Sequence, residues 1–414
     1  MRRFFFPIVV LCVSVIAAYH ILSMWKGISL YQTDVSEERL LQAVRAVPSH
    51  PDPFFKLGLF HQWDILNIDL SDSLNYIWKA IEQNPLEQAY WLNLARICQR
   101  RGNRKDSERA LENAILVFPT GYQGRWVSGN LLLQQRDLEK ALPHFSYILA
   151  NYPNQSSMVY DVLGKAIDPD FILERFVPRD SVSLKQYLSY LYEAGDNESV
   201  QKAWQKRDLF GYRPDRNETL RHIDFLISRG ELSEAFQAWE ARLREEGLSP
   251  ASGSDLITNG GFEKEKILGG GFDWRIEKVP GAEITFDSSV AFEGKNALRV
   301  VFDGKENVNF YHVYQFVRLK PDTEYILKAN MKTRAVTTKS GLKIEISGIG
   351  PAFYKASEPL IGDNEWTELT VGFRTPAQCR GGVVRIRRER TEKFDRFISG
   401  TVWIDHVRLA EKSK

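Results

Sequence analysis

The chain has 414 residues, 43% of them hydrophobic, with 55 Lys and Arg against 53 Asp and Glu. That apolar content excludes global disorder and is enough to core two or three folded units. The near balance of charge excludes the overall basic field of a nucleic-acid binder, so no nucleic-acid partner is expected.

The chain opens on "MRRFFFPIVVLCVSVIAAYHILSMWKG", with no Asp, Glu, Lys or Arg between Arg3 and Lys26. As a helix this stretch spans roughly 30 Å, the thickness of a bilayer's hydrocarbon core. Residues 1–26 therefore read as a membrane anchor. Arg2 and Arg3 before it place the amino terminus inside and the bulk of the chain outside the cytoplasm, with a single pass through the inner membrane. A cleaved signal peptide is the competing reading, with Val15 and Ala17 as its small-residue site, although apolar residues continue past where a short signal core would stop.

Prolines then recur at Pro51, Pro85, Pro119 and Pro153, 34 residues apart each time. Between Pro85 and Pro119, Trp91, Leu94, Ala95 and Cys98 share one helical face, Gly102-Asn103 breaks the helix, and Ala110, Leu111, Ala114 and Ile115 form a second stripe. The unit from Pro51 keeps Ile77 and Ala80 but has a longer turn in "HQWDILNIDLSDS". After Pro153 the register drifts, with Asp168-Pro169 where a glycine turn is expected and a second helix that must be short. Two more pairs follow around Gly195 and Gly230, with Trp204 and Trp239 on their second helices. Period and pattern resemble the tetratricopeptide repeat, whose stacked helix pairs leave a groove that holds a protein partner. The resemblance covers residues 35–246. Arg96, Gln99, Trp126 and Asn130 lie on first helices at offsets that could face the groove, with solvent exposure or inter-repeat packing as the plainer reading.

"REEGLSPASGSDL" is rich in Gly, Ser and Pro, and residues 247–255 read as a linker. Beyond it the hydrophobic period drops from 3.6 to 2 in "ALRVVF", "TEYILKANMKT", "GLKIEISG", "WTELTVGF" and "GVVRIR". About ten short strands fit a two-sheet sandwich or jelly roll. "NGGFE", a Trp some ten residues on, "FEGKNALRV", "YQFVRLKPDTEYIL", "NEWTELTVGFRTP" and "GTVWIDHVRL" occur in order. Together they resemble the galactose-binding-like jelly rolls that serve as carbohydrate-binding modules, over residues 256–411. The fold class expected is thus a transmembrane helix, an all-α superhelical array and an all-β jelly roll.

The row Trp403, Asp405, Val407, Leu409 puts a carboxylate among core residues, where it needs a partner. The resemblance implies a structural calcium held by Glu263 and Asp405 with backbone carbonyls of the "EGKN" loop; hydrogen bonds from backbone or Arg, with no metal, would satisfy Asp405 equally. His406 stands where the family often has a further Asp or Asn. For sugar contact, "NVNFYHVYQFVRL" carries two apolar or aromatic rows: Tyr311, Val313, Gln315 and Val317, then Phe310, His312, Tyr314 and Phe316. One row should face the core and the other needs cover, from a stacked sugar ring or from docking onto the helical array. Tyr311 and Tyr314, with Trp274 and Tyr354, are the aromatic candidates, while Trp366 reads as core. Arg385 and Arg387 lie outward on a strand whose Val384 and Ile386 point in; they suit bidentate contacts to a glycan, or a solvated strand edge.

Cys12, Cys98 and Cys379 have no metal-binding spacing, and no HExxH, GxSxG, Walker or GxGxxG motif occurs. The expectation is a non-enzymatic, membrane-anchored, extracytoplasmic adaptor that binds a protein through its repeats and a glycan through its jelly roll, in cell-surface polysaccharide assembly or export. A polysaccharide-active enzyme and a purely structural protein scaffold are the alternatives.

Overall fold

The computed structural model describes residues 2–33, 36–63, 68–248 and 255–412. They divide into two compact units, Met1–Tyr212 and Arg213–Lys414.

The first unit starts with α1 (Arg2–Thr33), whose side chains from Val9 to Trp25 are mostly exposed. Its stretch Val9–Leu30 is long and apolar enough to cross a membrane, a length and composition shared by signal sequences. The far end of α1 belongs to the fold. Gly27 is buried where a Cβ would stand 2.7 Å from Val47, and Ile28 and Leu30 pack on Leu40 and Ala43 of α2 (Glu37–Ala46) and on Leu57.

Five helix pairs follow. They are α3 (Pro51–Trp63) with α4 (Leu70–Gln83), α5 (Gln88–Arg100) with α6 (Arg104–Val117), and α7 (Tyr122–Gln134) with α8 (Leu138–Asn151); then come α9 (Ser156–Gly164) with α10 (Pro169–Arg175), and α11 (Ser181–Ala194) with α12 (Asn197–Gln205). The 34-residue period marks the caps as well as the prolines. Asp69, Asn103 and Asp137 each accept backbone N–H groups at the start of a second helix, satisfying donors that have no partner within the helix. Ion pairs between second helices repeat with the units: Arg104 with Asp137, Lys140 with Glu108, Lys202 with Asp170. Each is exposed and contributes little alone. The irregular pair is as the register drift implies, for Asp168 caps and Pro169 starts a second helix of 7 residues. Of the lengthened turn before α4, residues 64–67 lie outside the described residues.

The second unit begins with α13 (Arg216–Ser228) and α14 (Leu232–Glu245), so the array expected to run to residue 246 is divided, and its last pair packs with the strands. The linker expected at 247–255 lies largely outside the described residues. The strands are β1 (Arg275–Ile276), β2 (Ala282–Asp287), β3 (Ala297–Asp303), β4 (Phe310–Val317), β5 (Glu324–Val336), β6 (Lys343–Ile349), β7 (Tyr354–Ala356), β8 (Gly362–Arg374), β9 (Gly381–Arg388) and β10 (Ser399–Glu411). They form two antiparallel five-stranded sheets: sheet A in the order β1-β4-β9-β6-β7 and sheet B in the order β2-β3-β10-β5-β8. The core lies between them, with Val313, Ile344 and Ile386 of sheet A against Val300, Leu327 and Ile404 of sheet B.

A second, smaller core joins the helix pair to the strands. Ile223, Leu226, Leu232 and the fully buried Trp239 enclose Leu268 and Phe272, with Phe316 and Ile349 packed alongside. The glycines of "LGGGFDW" make this approach possible. Gly271, at φ +61°, passes so close to Trp239 that a Cβ would meet its ring at 2.8 Å.

Two β-bulges correct the alternation read from the sequence. In β4 the register slips between Phe310 and Val313: Phe310, Val313, Gln315 and Val317 are buried, while Tyr311 and His312 both emerge on the other side. An inserted residue reverses the parity of all that follows. In β10 the slip between Asp405 and Arg408 does the same. Val402 and Ile404 face the core before it, Val407 and Leu409 after it, so Trp403 is not in that row; its indole N–H donates to Asp287 at 2.8 Å. Trp366, expected in the core, is half-buried on β8 and meets the exposed Phe292 edge to face.

Candidate functional site

Residues opposite one another in neighbouring strands share a face. Arg275 pairs with Tyr314, Tyr314 with Arg385, and Arg385 with Glu345, so one row crosses β1, β4, β9 and β6 on the outer face of sheet A. A parallel row holds Phe316, Val383, Ser347 and Tyr354, and a third sets Arg387 beside Lys343. Five of the six residues singled out for sugar contact, Tyr311, Tyr314, Tyr354, Arg385 and Arg387, thus meet on one face. Trp274 does not. It is 6% exposed, packs against Phe262 on the core side, and donates its indole N–H to the Asn259 carbonyl at 3.1 Å.

Hydrogen bonds organise the face. Glu345, its side chain only 6% exposed, lies 3.7 Å from both Arg385 and Arg387 and accepts the Tyr354 hydroxyl at 2.9 Å. Arg385 donates to Ser347 at 2.7 Å and Arg387 to Asn309 at 2.6 Å. The Tyr314 hydroxyl donates to Glu277 at 2.8 Å; burial, reinforced by that carboxylate, raises its pKa above the ordinary phenol value. His312 stacks on Tyr311 with ring centres 4.3 Å apart, and burial lowers its pKa against the pull of Glu277. Arg275 crosses the Phe316 ring and pairs with Asp224 of α13, while Lys343 pairs with Glu389. Every cation named here has an acidic partner. Such a face offers aromatic planes beside fixed, mutually compensated donors and acceptors, which suits an uncharged polyhydroxylated ligand better than a free anion. Helices α13 and α14 cover its Phe316 end, leaving Tyr311 and Tyr354 46% and 50% exposed.

Glu263 and Asp405 meet in a second cluster, with the loop 292–296. Asp405 is fully buried, and its oxygens accept the backbone N–H groups of Phe292, Glu293 and His406 at 2.7, 3.1 and 2.6 Å. Burial raises its pKa; these bonds oppose the shift and the nearby Glu263 adds to it. Glu263 accepts the amides of Lys295 and Asn296 at 2.8 and 3.3 Å. His406 pairs with Glu293. The donors are oxygen only, which suits calcium. Among the described residues no three His, Cys, Asp or Glu gather as a metal group, so backbone carbonyls and water would have to complete such a shell.

In the repeats, Arg96 and Gln99 lie on α5, Trp126 and Asn130 on α7. Gln99 exchanges side-chain hydrogen bonds with Gln134 and Gln135 of the next unit, Arg96 donates to Asn93, and Asn130 donates back to the Trp126 carbonyl. Trp126 sits between Tyr122 and Phe145. Gln99 is part of inter-repeat packing, and Trp126 braces its own helix pair.

Residues 254–391 match the sequence model of a carbohydrate binding domain family, and residues 99–156 match that of the tetratricopeptide repeat. The chain joins tetratricopeptide repeats to a carbohydrate-binding-module-like jelly roll. Over 167 residues, 38% of its length, it is 25% identical to a tRNA(Glu)-specific nuclease WapA of Bacillus subtilis subsp. natto, and 24% identical over the same length to tRNA nuclease WapA of Bacillus subtilis. It spans only 7% of each of those relatives. Among solved structures, the module is similar to a family 16 carbohydrate binding module, at 21% identity and TM-score 0.27, covering 38% of this chain and 99% of that one. It is also similar to the CBM22-1 xylan-binding domain from Paenibacillus barcinonensis, at 15% identity and TM-score 0.29, covering 40% and 100%.

Sequence reading missed Glu345 on the module's outer face, although "LKIEISG" carries the signal: Lys343, Glu345 and Ser347 form a polar row on a strand whose Ile344 and Ile346 are buried. Arg275 and Asp224 were missed for another reason, since their pairing joins strand to helix across 51 residues.

Proposed function

We propose that the protein is a non-enzymatic adaptor, anchored in the inner membrane by α1 with its bulk outside the cytoplasm, that binds a protein partner through the repeats and a glycan on the outer face of sheet A, in the assembly or export of a cell-surface polysaccharide. The row Arg275, Tyr314, Arg385, Glu345, set across four strands of a carbohydrate-binding-like module, carries the reading. Pyranose C–H faces stack on tyrosine rings, while guanidinium and carboxylate groups bridge adjacent hydroxyls. The test is retention of the full chain, in lipid nanodiscs, on a glycan array. Tyr314→Ala and Arg385→Gln are each expected to weaken retention about tenfold or more, about 1.4 kcal/mol. A wild-type chain that no glycan retains would end the reading. The cover that α13 and α14 give Phe316 favours, as a second reading, a purely structural module, which the same negative result would support.

Under the first reading Glu263, Asp405 and backbone carbonyls of residues 293–296 hold a structural calcium. A ligand present at about a hundred times its dissociation constant stabilises by about 2.7 kcal/mol, so EGTA is expected to lower the melting temperature of the second unit by about 5–10 °C. Asp405→Asn should abolish the difference; equal melting with and without EGTA in the wild type removes the ion from the account.

A further inference from the structure

The repeat unit contains a cavity that neither the partner groove nor the jelly roll accounts for. It lies between α4 and α6, over α5, with a volume of about 510 Å³, within the range of small-molecule sites. Trp78 and Trp91 stand at 86° with ring centres 6.0 Å apart, forming a two-sided aromatic corner. Trp91 is fixed by its indole N–H, which donates to the Pro85 carbonyl at 2.8 Å, whereas Trp78 remains 43% exposed. Buried Cys98 belongs to the apolar lining. Asp106, Arg109 and Asn113 supply a carboxylate, a guanidinium and a primary amide. Asp106 accepts the Asn103 amide and stands 3.9 Å from Arg109, so that edge is partly organised in advance. The amide of half-buried Asn113 makes no hydrogen bond among the described residues.

We infer that this cavity is a second saccharide site, taking a pyranose ring against Trp78 with its hydroxyls on Asp106, Arg109 and Asn113. An aromatic plane beside planar polar groups is what a sugar ring needs. Its C–H face loses water against the indole, and each carboxylate, amide or guanidinium bridges a pair of neighbouring hydroxyls without a net charge on the ligand. The site lies in the first unit and stands independently of sheet A.

The experiment uses the full chain in lipid nanodiscs and arrayed hexasaccharides of glucose, mannose, galactose, xylose and uronic acids. In a Tyr314→Ala background, which weakens the sheet A face, retention is expected to persist and to fall about tenfold or more on adding Trp78→Ala. Trp78→Phe, which keeps an aromatic plane, should recover most of it, and Asn113→Ala should lose several-fold without lowering the melting temperature; these two variants keep the test readable if Trp78→Ala folds poorly. Loss of all retention in Tyr314→Ala, or retention indifferent to Asn113→Ala in that background, overturns the second site and leaves the proposed function standing. A wild-type chain retained by none of the sugars overturns both.

Discussion

A fragment beginning at residue 213 is expected to melt cooperatively as one stable unit, and a fragment beginning at residue 255 to be several kcal/mol weaker or insoluble. The reason is the core shared by α13, α14 and the glycine loop. Without the helices, Leu268 and Phe272, now 4% and 2% exposed, would face water together with Phe316 and Ile349. Sequence composition alone would place the cut in the Gly, Ser and Pro stretch after residue 246, on the wrong side of that core. Trp239 tests the point within the intact chain. It is fully buried, packs on Phe272 with ring centres 6.3 Å apart, and its indole nitrogen has no hydrogen-bond partner among the described residues. Its contribution is therefore apolar burial and packing. Trp239→Ala should cost about 3–5 kcal/mol, a large part of the 5–15 kcal/mol typical of a domain, read as a shift of the denaturant midpoint of the 213–414 fragment. An unchanged midpoint, or equal stability of the two fragments, would show the helix pair to be an appendage.

The helical array was legible because its period is written in residues with few substitutes. Prolines end the pairs, Asp or Asn caps the second helices, and small residues such as Gly129 let paired helices approach; a Cβ there would meet the Phe145 ring at 2.9 Å. The sandwich was legible from its alternation, and Arg385 and Arg387 could be placed on one outward row because β9 is regular. Where alternation failed, a bulge was the cause. Nothing in "FYHVYQFV" or "VWIDHVRL" marks the inserted residue, because a bulge is fixed by the register of the partner strand, and strand partners are far apart in sequence. His406 adopts φ +51° to make its bulge, a conformation open to His without a glycine signal. The cover that α13 and α14 give Phe316 is the docking onto helices that the aromatic row had left open as one of its two forms of cover.

Arg388 shows how much rests on that parity. Its neighbour Arg387 emerges on the outer face of sheet A, whereas Arg388, opposite the buried Phe310, points inward and is itself fully buried. Its guanidinium donates to the carbonyls of Ser340 and Arg396 at 2.8 and 2.9 Å and to that of Val308, and reaches the Asn307 side chain at 3.4 Å. Three loops at one end of the sandwich are tied to a single cation. Burial pulls its pKa down to about 10, against the stabilising charge of Asp395, so it stays protonated at neutral pH and keeps these four hydrogen bonds. Arg388→Met keeps the length but strips three carbonyls of their partner, and buried acceptors left unpaired cost about 1–3 kcal/mol each. The charge no longer needs desolvation, which offsets part of that loss, and the net expectation is about 3–5 kcal/mol, as for breaking other buried ionic contacts. Arg388→Lys should recover only a fraction, since an ammonium cannot span the fork of carbonyls. Arg387→Met provides the contrast: little change in stability but weaker glycan retention. If denaturation of the 213–414 fragment gave the two methionine variants the same midpoint, the inward and outward assignments on β9 would be wrong, and with them the face on which the sugar is placed.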